Sequence, residues 1–239
     1  MSSVYRYIKI CGLTSVEDAR AAQALGADLL GLVMHPKSPR FCDPAQARQI
    51  IDEINFKPVV LVFADNDADY ARDLVGNLHG SMVFVQAPCE SRLYAWLCEN
   101  YPAEKILPVL SVSAFEKKAG GSGAGPLGDL VKLEKHPWII LDTGGVVSTT
   151  GEALYGGTGK TFDWNIVKDL KRKYFLAGGL NPGNISEALQ VAQAPGFDVS
   201  SGIESAPGKK DVEKMAGFIR TIRGARAIGA DRLTGEGFI

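Results

Sequence analysis

The sequence predicts a single (β/α)8 barrel, and three observations predict it. Short apolar or β-branched runs alternate with helix-period segments about eight times along 239 residues, a length typical of one such barrel. Several of those runs are nearly unbroken, as in Leu29-Leu30-Gly31-Leu32-Val33-Met34, the pattern of strands covered on both faces by crossover helices. The glycine clusters follow the expected sixth, seventh and eighth strands. An open doubly wound sheet, the rival architecture, concentrates its glycines after the first.

The elements follow in order. Residues 5–10 form a first strand, and a helix over 15–25 starts at Ser15, with Asp18 three residues on, and stops at Gly26. Its apolar positions Val16, Ala19, Ala22 and Leu25 keep helical spacing. The strand over 29–34 leads to a helix opened by Asp43-Pro44 and ending near Ile54, the favoured cap-then-proline order. Strands over 59–63, 82–86 and 105–110 alternate with helices over 68–78, 91–100 and near 127–135. The last units are strand 138–141 with helix 164–173, strand 174–177 with helix 184–193, and strand 197–199 with helix 211–223. Residues 1–223 make the barrel domain, and 224–239 a short C-terminal extension. Two glycine-rich segments read as insertions: 120–128, a surface loop, and 143–161, long enough for a mobile lid.

Composition narrows the function. Twenty-six Lys and Arg against 27 Asp and Glu give a net charge of -1, which offers nucleic acid no basic footprint. Four cysteines without a Cys-x-x-Cys pair make neither a disulfide framework nor a zinc site, and the three histidines lack ligand spacing, so no metal is expected. No apolar run reaches the ~20 residues of a membrane helix, and residues 1–10 lack a signal-peptide core; a cytoplasmic protein is expected. Gly123-Ala124-Gly125-Pro126-Leu127-Gly128 fits a dinucleotide fingerprint only formally, because it follows a charged stretch and not a strand. Gly156-Gly157-Thr158-Gly159-Lys160-Thr161 fails the phosphate-loop pattern, which needs glycine where Leu154 stands.

In a barrel of this kind the chemistry lies at the C-terminal strand ends. Gly178-Gly179 and Ser200-Ser201-Gly202 fall where such barrels bind phosphate, and glycines let backbone N–H groups approach an anion. Cys11 ends the first strand, as base, nucleophile or plain core filler. Asp142 follows the sixth strand, as acid/base group or loop cap. Arg40 is the candidate grip for a substrate carboxylate, against a solvated loop charge. Asp198 closes the eighth strand.

These segments resemble those of the phosphoribosylanthranilate isomerase family of tryptophan biosynthesis. The resemblance is carried by Lys9-Ile10-Cys11-Gly12-Leu13-Thr14, Pro36-Lys37-Ser38-Pro39-Arg40, Leu141-Asp142-Thr143, residues 156–164, Leu176-Ala177-Gly178-Gly179-Leu180-Asn181-Pro182, residues 198–204 and residues 207–211. It implies an Amadori rearrangement of N-(5-phosphoribosyl)anthranilate that needs no cofactor or metal. It implies Asp142 as general acid, Cys11 as general base, Arg40 on the anthranilate carboxylate and Asp198 on the sugar hydroxyls. Gly178, Gly179, Ser200, Ser201 and Gly202 would cradle the phosphate. Such roles require the acid and base to be pushed apart in pKa, with Cys11 lowered by helix ends or nearby cations. The expected partner is a phosphoribosyl small molecule, with the chain a monomer or homodimer.

The chain departs from the family where Val-Gln-Leu-His-Gly is usual: it reads Val85-Gln86-Ala87-Pro88-Cys89, and the histidine that faces the active site in relatives is missing. The loops over 111–129 and 143–155 are also long. Two alternatives therefore stand beside the isomerase. One is the related histidine-pathway isomerase, which uses two carboxylates and is opposed by Cys11. The other is a non-catalytic or substrate-shifted phosphosugar-binding paralogue.

Overall fold

The structure, a computed structural model, describes residues 5–54, 58–64, 66–78, 83–112, 130, 133–143, 146–147, 153–154 and 161–225. Eight parallel strands close into a barrel in sequential order: β1 Tyr7–Cys11, β2 Leu29–Val33, β3 Val59–Val62, β4 Val83–Pro88, β5 Ile106–Ser111, β6 Ile139–Asp142, β7 Tyr174–Leu176 and β8 Gly196–Val199. Closure is made by β1 against β8, with Lys9 opposite Asp198 and Ile10 opposite Val199. The described helices around it are α1 Val16–Leu25, α2 Pro44–Glu53, α3 Ala68–Asn77, α4 Arg92–Asn100, α5 Ile185–Val191 and α6 Val212–Gly224. Two short antiparallel pairs decorate the C-terminal side: Val146–Val147 with Ala153–Leu154, and Glu204–Ala206 with Lys209–Lys210.

Local chemistry sets the helix starts. Ser15 Oγ accepts from Asp18 N at 3.1 Å, and Asp43 caps α2 in a reciprocal box with Gln46. Gly26, at φ +98°, ends α1 in the left-handed conformation. Strand side chains facing outward, such as Ile8, Ile10, Leu30 and Leu32, bury against the helices. Those facing inward, including Leu29, Val60, Phe84, Leu107, Trp138, Ile140 and Phe175, fill the barrel. Trp138 and Phe175 lie 4.9 Å apart between ring centroids, and Tyr7 meets Trp138 edge-on at 5.0 Å. This aromatic filling of the N-terminal half gives the opposite, C-terminal half a floor.

Two expected helices differ. Over 164–173 the chain makes only a 3-10 turn, Trp164–Ile166. The Tyr174 hydroxyl donates to the carbonyls of Val167 at 3.3 Å and Ala192 at 3.1 Å, while Arg172 donates to the His136 carbonyl at 3.0 Å. Of the groups involved, only the Val167 carbonyl is backbone of this segment, and it accepts from Leu170 N at 3.1 Å, in a tight i to i+3 turn, as well as from Tyr174. The helix expected near 127–135 falls mostly outside the described residues, and its end, Leu133–His136, is a turn in which His136 N donates to the Leu133 carbonyl. Residues 120–128, most of 143–161 and the tail after Ala225 also lie outside them.

Candidate active site

A cavity of about 260 Å³ opens at the C-terminal strand ends. Of the residues singled out from sequence, Cys11, Arg40, Asp142, Gly178, Gly179, Asp198, Ser200 and Ser201 line it. Gly202 is not part of the lining. A Cβ there would stand 1.9 Å from the Leu180 carbonyl oxygen, so Gly202 lets the loop after β8 press against the loop after β7.

Cys11 sits on β1, two residues after Lys9 and on the same inward face. Its thiol has room because β2 carries Gly31 alongside; a Cβ at Gly31 would come within 2.8 Å of Sγ. Lys9 is fully buried beneath it, with Nζ 2.8 Å from Asp198 Oδ2, and its charge acts on the Cys11 thiol. Burial pushes the Cys11 thiol up, and the Lys9 ammonium opposes that without cancelling it. The sequence expectation of a lowered thiol is thus corrected: desolvation outweighs the cation. Burial likewise works against the Lys9 charge, but Asp198 and Cys11 outweigh it and hold the ammonium protonated.

Asp142, half-buried, ends β6, its backbone carbonyl accepting from Val112 N at 2.8 Å. The next residue, Thr143, packs directly on Gly178; a Cβ at Gly178 would lie 1.7 Å from Thr143 Oγ1. Gly178 and Gly179 both have positive φ, +88° and +65°, which bends the chain along the cavity wall. The acid candidate and the glycine turn are therefore immediate neighbours.

Arg40 has a partner that sequence inspection missed. Its Nε and Nη2 each lie 2.8 Å from a carboxylate oxygen of Glu204. Glu204 also receives Lys210 Nζ at 2.9 Å, and that ammonium reaches the Ser200 carbonyl at 3.2 Å. Burial pushes the Glu204 carboxyl up, but Arg40 and Lys210 together hold it below the usual range. Lys210 is shifted down, because burial outweighs a carboxylate it shares with Arg40.

Gln86 was also missed. It lines the cavity from β4 and is 8% exposed, and its Oε1 has no hydrogen-bond partner among the described residues. Asp198 Oδ1 is in the same condition. A polar side chain at an inward strand position was the available signal for both Lys9 and Gln86. In the departure from the family pattern, Ala87 is fully buried, Pro88 lines the cavity, and Cys89 Sγ lies 3.2 Å from Glu90 Oε2. His35 lines the cavity from the loop after β2. Among the described residues no group of three or more His, Cys, Asp or Glu is placed to hold a metal ion, and no helix is long and apolar enough to cross a membrane.

Comparison with known proteins decides the family. The sequence is 35% identical over 225 residues to N-(5'-phosphoribosyl)anthranilate isomerase of Aquifex aeolicus, covering 89% of this chain and 96% of that protein. The Thermotoga maritima isomerase is equally similar, at 35% over 91% of this chain and 98% of its own. This chain belongs to the phosphoribosylanthranilate isomerase family. The family's sequence model, N-(5'phosphoribosyl)anthranilate (PRA) isomerase, matches residues 127–221. The solved Thermotoga maritima isomerase superposes with a TM-score of 0.72 at 32% identity, over 92% of this chain and 100% of that one. A phosphoribosyl anthranilate isomerase solved in complex with reduced 1-(o-carboxyphenylamino)-1-deoxyribulose 5-phosphate gives 0.69 at 29%, with the same coverage. The (β/α)8 barrel expected from sequence is thus the fold of the family.

Proposed function

We infer that this chain catalyses the isomerisation of N-(5'-phosphoribosyl)anthranilate to 1-(2-carboxyphenylamino)-1-deoxyribulose 5-phosphate. Family membership supports the reaction, and one observation carries it to these residues: Cys11 and Asp142, from β1 and β6, converge on one cavity beside the Gly178-Gly179 and Ser200-Ser201 turns.

The reaction is a proton shuffle. Asp142 protonates the furanose ring oxygen, the C1'–O bond breaks, and the nitrogen lone pair forms the C1' iminium. Cys11, as thiolate, removes the C2' proton and gives an enolamine. Protonation at C1' and loss of the 2'-hydroxyl proton yield the ketone, so every atom of substrate is retained. Lys9 stabilises the Cys11 thiolate from below. The Ser200-Ser201 and Gly178-Gly179 turns take the phosphate, with Gly202 holding the two loops together. Asp198 Oδ1, which has no partner among the described residues, accepts from a sugar hydroxyl, and Arg40 meets the ring carboxylate. No cofactor or metal takes part in this scheme.

The decisive experiment follows substrate fluorescence, with phosphoribosylanthranilate made in situ by a separate transferase. Wild type consumes it; Asp142→Asn and Cys11→Ala each lose about 10²–10⁴-fold in kcat. Near-full activity of either variant would refute that residue's role. Pro88 at the cavity wall favours a second reading, a substrate-shifted or non-catalytic phosphosugar-binding paralogue. A folded wild type that binds a product analogue without turnover would select it. The near-neutral net charge supports a small-molecule ligand in preference to nucleic acid, in a cytoplasmic monomer or homodimer whose barrel domain ends near residue 223.

A further inference from the structure

The Arg40–Glu204–Lys210 cluster has a geometry that a simple surface ion pair does not need. All three side chains are at least nine-tenths buried. A guanidinium offers five N–H donors arranged as two bidentate edges. Glu204 takes the side-on edge, Nε and Nη2, with both distances at 2.8 Å. The end-on edge, Nη1 with the outer Nη2 hydrogen, makes no part of that pair, and Arg40 lines the cavity.

We propose that Glu204 is the positioning residue for Arg40, fixing the guanidinium so that its end-on edge presents a single carboxylate subsite to an aromatic-acid ligand. The charges fit one such group: two cations and one anion leave one positive charge unmatched, against one ring carboxylate. Glu204 is itself anchored. Its backbone carbonyl accepts from Lys214 Nζ at 2.8 Å, and its hairpin partner Lys210 donates its backbone N–H to Asp18 Oδ2 at 2.9 Å. At the hairpin turn the Gly208 carbonyl accepts from Thr14 Oγ1 at 2.7 Å, and a Cβ at Gly208 would stand 2.9 Å from the carbonyl oxygen of Pro39, the residue before Arg40. Because Lys210 also holds the Ser200 carbonyl, one hairpin fixes the carboxylate grip and the phosphate side at a constant separation. A ligand is thereby measured by the distance between its two anionic ends.

The proposal rests on the assignment of Arg40 to the ring carboxylate, and the experiment separates the two. Calorimetry on the full chain compares two ligands: reduced 1-(o-carboxyphenylamino)-1-deoxyribulose 5-phosphate and its phenyl counterpart lacking the carboxylate. Wild type prefers the carboxylated ligand. Glu204→Gln, isosteric but unable to pair both Arg40 donors with two carboxylate oxygens, reduces that preference about tenfold, the carboxylated ligand losing that much more than the phenyl compound, whose phosphate side feels the change only through Lys210. Glu204→Asp, one methylene shorter, carries the same comparison with a partial loss if the amide variant does not fold. An unchanged preference in the variants, or an equal loss on both ligands, overturns the positioning role. No preference in wild type overturns the assignment of Arg40 and the proposal with it.

Discussion

Replacing Lys9 by methionine tests the buried charge beneath the thiol. Lys9 has no exposed surface, Asp198 is 7% exposed, and their charged atoms lie 2.8 Å apart. Removing one partner of such a pair strands the other and costs about 3–5 kcal/mol. At roughly 2–4 °C per kcal/mol for a chain of this size, Lys9→Met lowers Tm by roughly 6–20 °C. Nothing rescues Asp198, whose Oδ1 already has no partner among the described residues. The double variant Lys9→Met/Asp198→Leu removes both charges and recovers most of the stability, as apolar replacements of buried pairs do. Chemistry separates from stability at this point. Lys9 favours the Cys11 thiolate, and its pull outweighs the opposing push of Asp198. Iodoacetamide labelling of Cys11 at fixed pH therefore slows in both variants, in proportion to the lost thiolate fraction. Because the thiol starts above its ordinary value, kcat/KM rises with pH through the Cys11 ionisation, and in both variants that rise moves to higher pH. Labelling at the wild-type rate in Lys9→Met, or reactivity that returns with stability in the double variant, would show Lys9 to be structural only.

Two further outcomes follow from the same geometry. Gly202→Ala and Gly217→Ala are the same change with opposite signs: the first drives a Cβ into the Leu180 carbonyl and costs about 1–3 kcal/mol, with weaker binding of inorganic phosphate as competitor. The second, in α6 with open space around it, stabilises by about 0.5–1 kcal/mol without changing turnover, and thermal melts that fail to diverge would refute the loop contact. His136 is buried, with Nδ1 3.0 Å from the Ala103 carbonyl and Nε2 2.9 Å from the Tyr94 hydroxyl. Burial, with Lys135 and Arg172 nearby, holds its pKa below the usual value, outweighing the Ala103 hydrogen bond. The unfolded chain thus binds the proton first, and the stability from neutral His136 is present above about pH 6.5 and lost as pH falls below it. His136→Gln flattens that part of the Tm–pH curve; an unaltered slope would remove His136 as its cause.

The sequence made the barrel legible because each unit carries its own punctuation. Ser15, Gly26 and Asp43-Pro44 announce helix ends within a few residues of where they act, and the closed order needs only that every crossover carry the same hand. The segment over 164–173 misled because its helical periodicity competes with a tertiary bond from the Tyr174 hydroxyl to the Val167 carbonyl, which no local pattern records. The same division runs through the site. Cys11, Asp142 and the glycine turns were legible because strand ends in a barrel converge whatever their distance in sequence. Their supporting charges were not. Lys9 and Asp198 are 189 residues apart, Arg40 and Glu204 are 164, and only closure of β1 on β8 and of the loops above makes them partners.

That difference bears on how the reaction is supported. Each inward or cavity-lining charge in question has a partner supplied by the β8 segment or the hairpin after it: Lys9 by Asp198, and Arg40 by Glu204, with Lys210 completing the set. β8 therefore closes the barrel, sets the thiol's electrostatics through the Lys9 pair and orients Arg40 through the hairpin. Damage at β8 should reach the base and the carboxylate grip together, whereas damage at β6 should reach Asp142 and its neighbouring glycine turn alone. Thiol labelling and the two-ligand comparison, run on one set of variants, read those two effects separately.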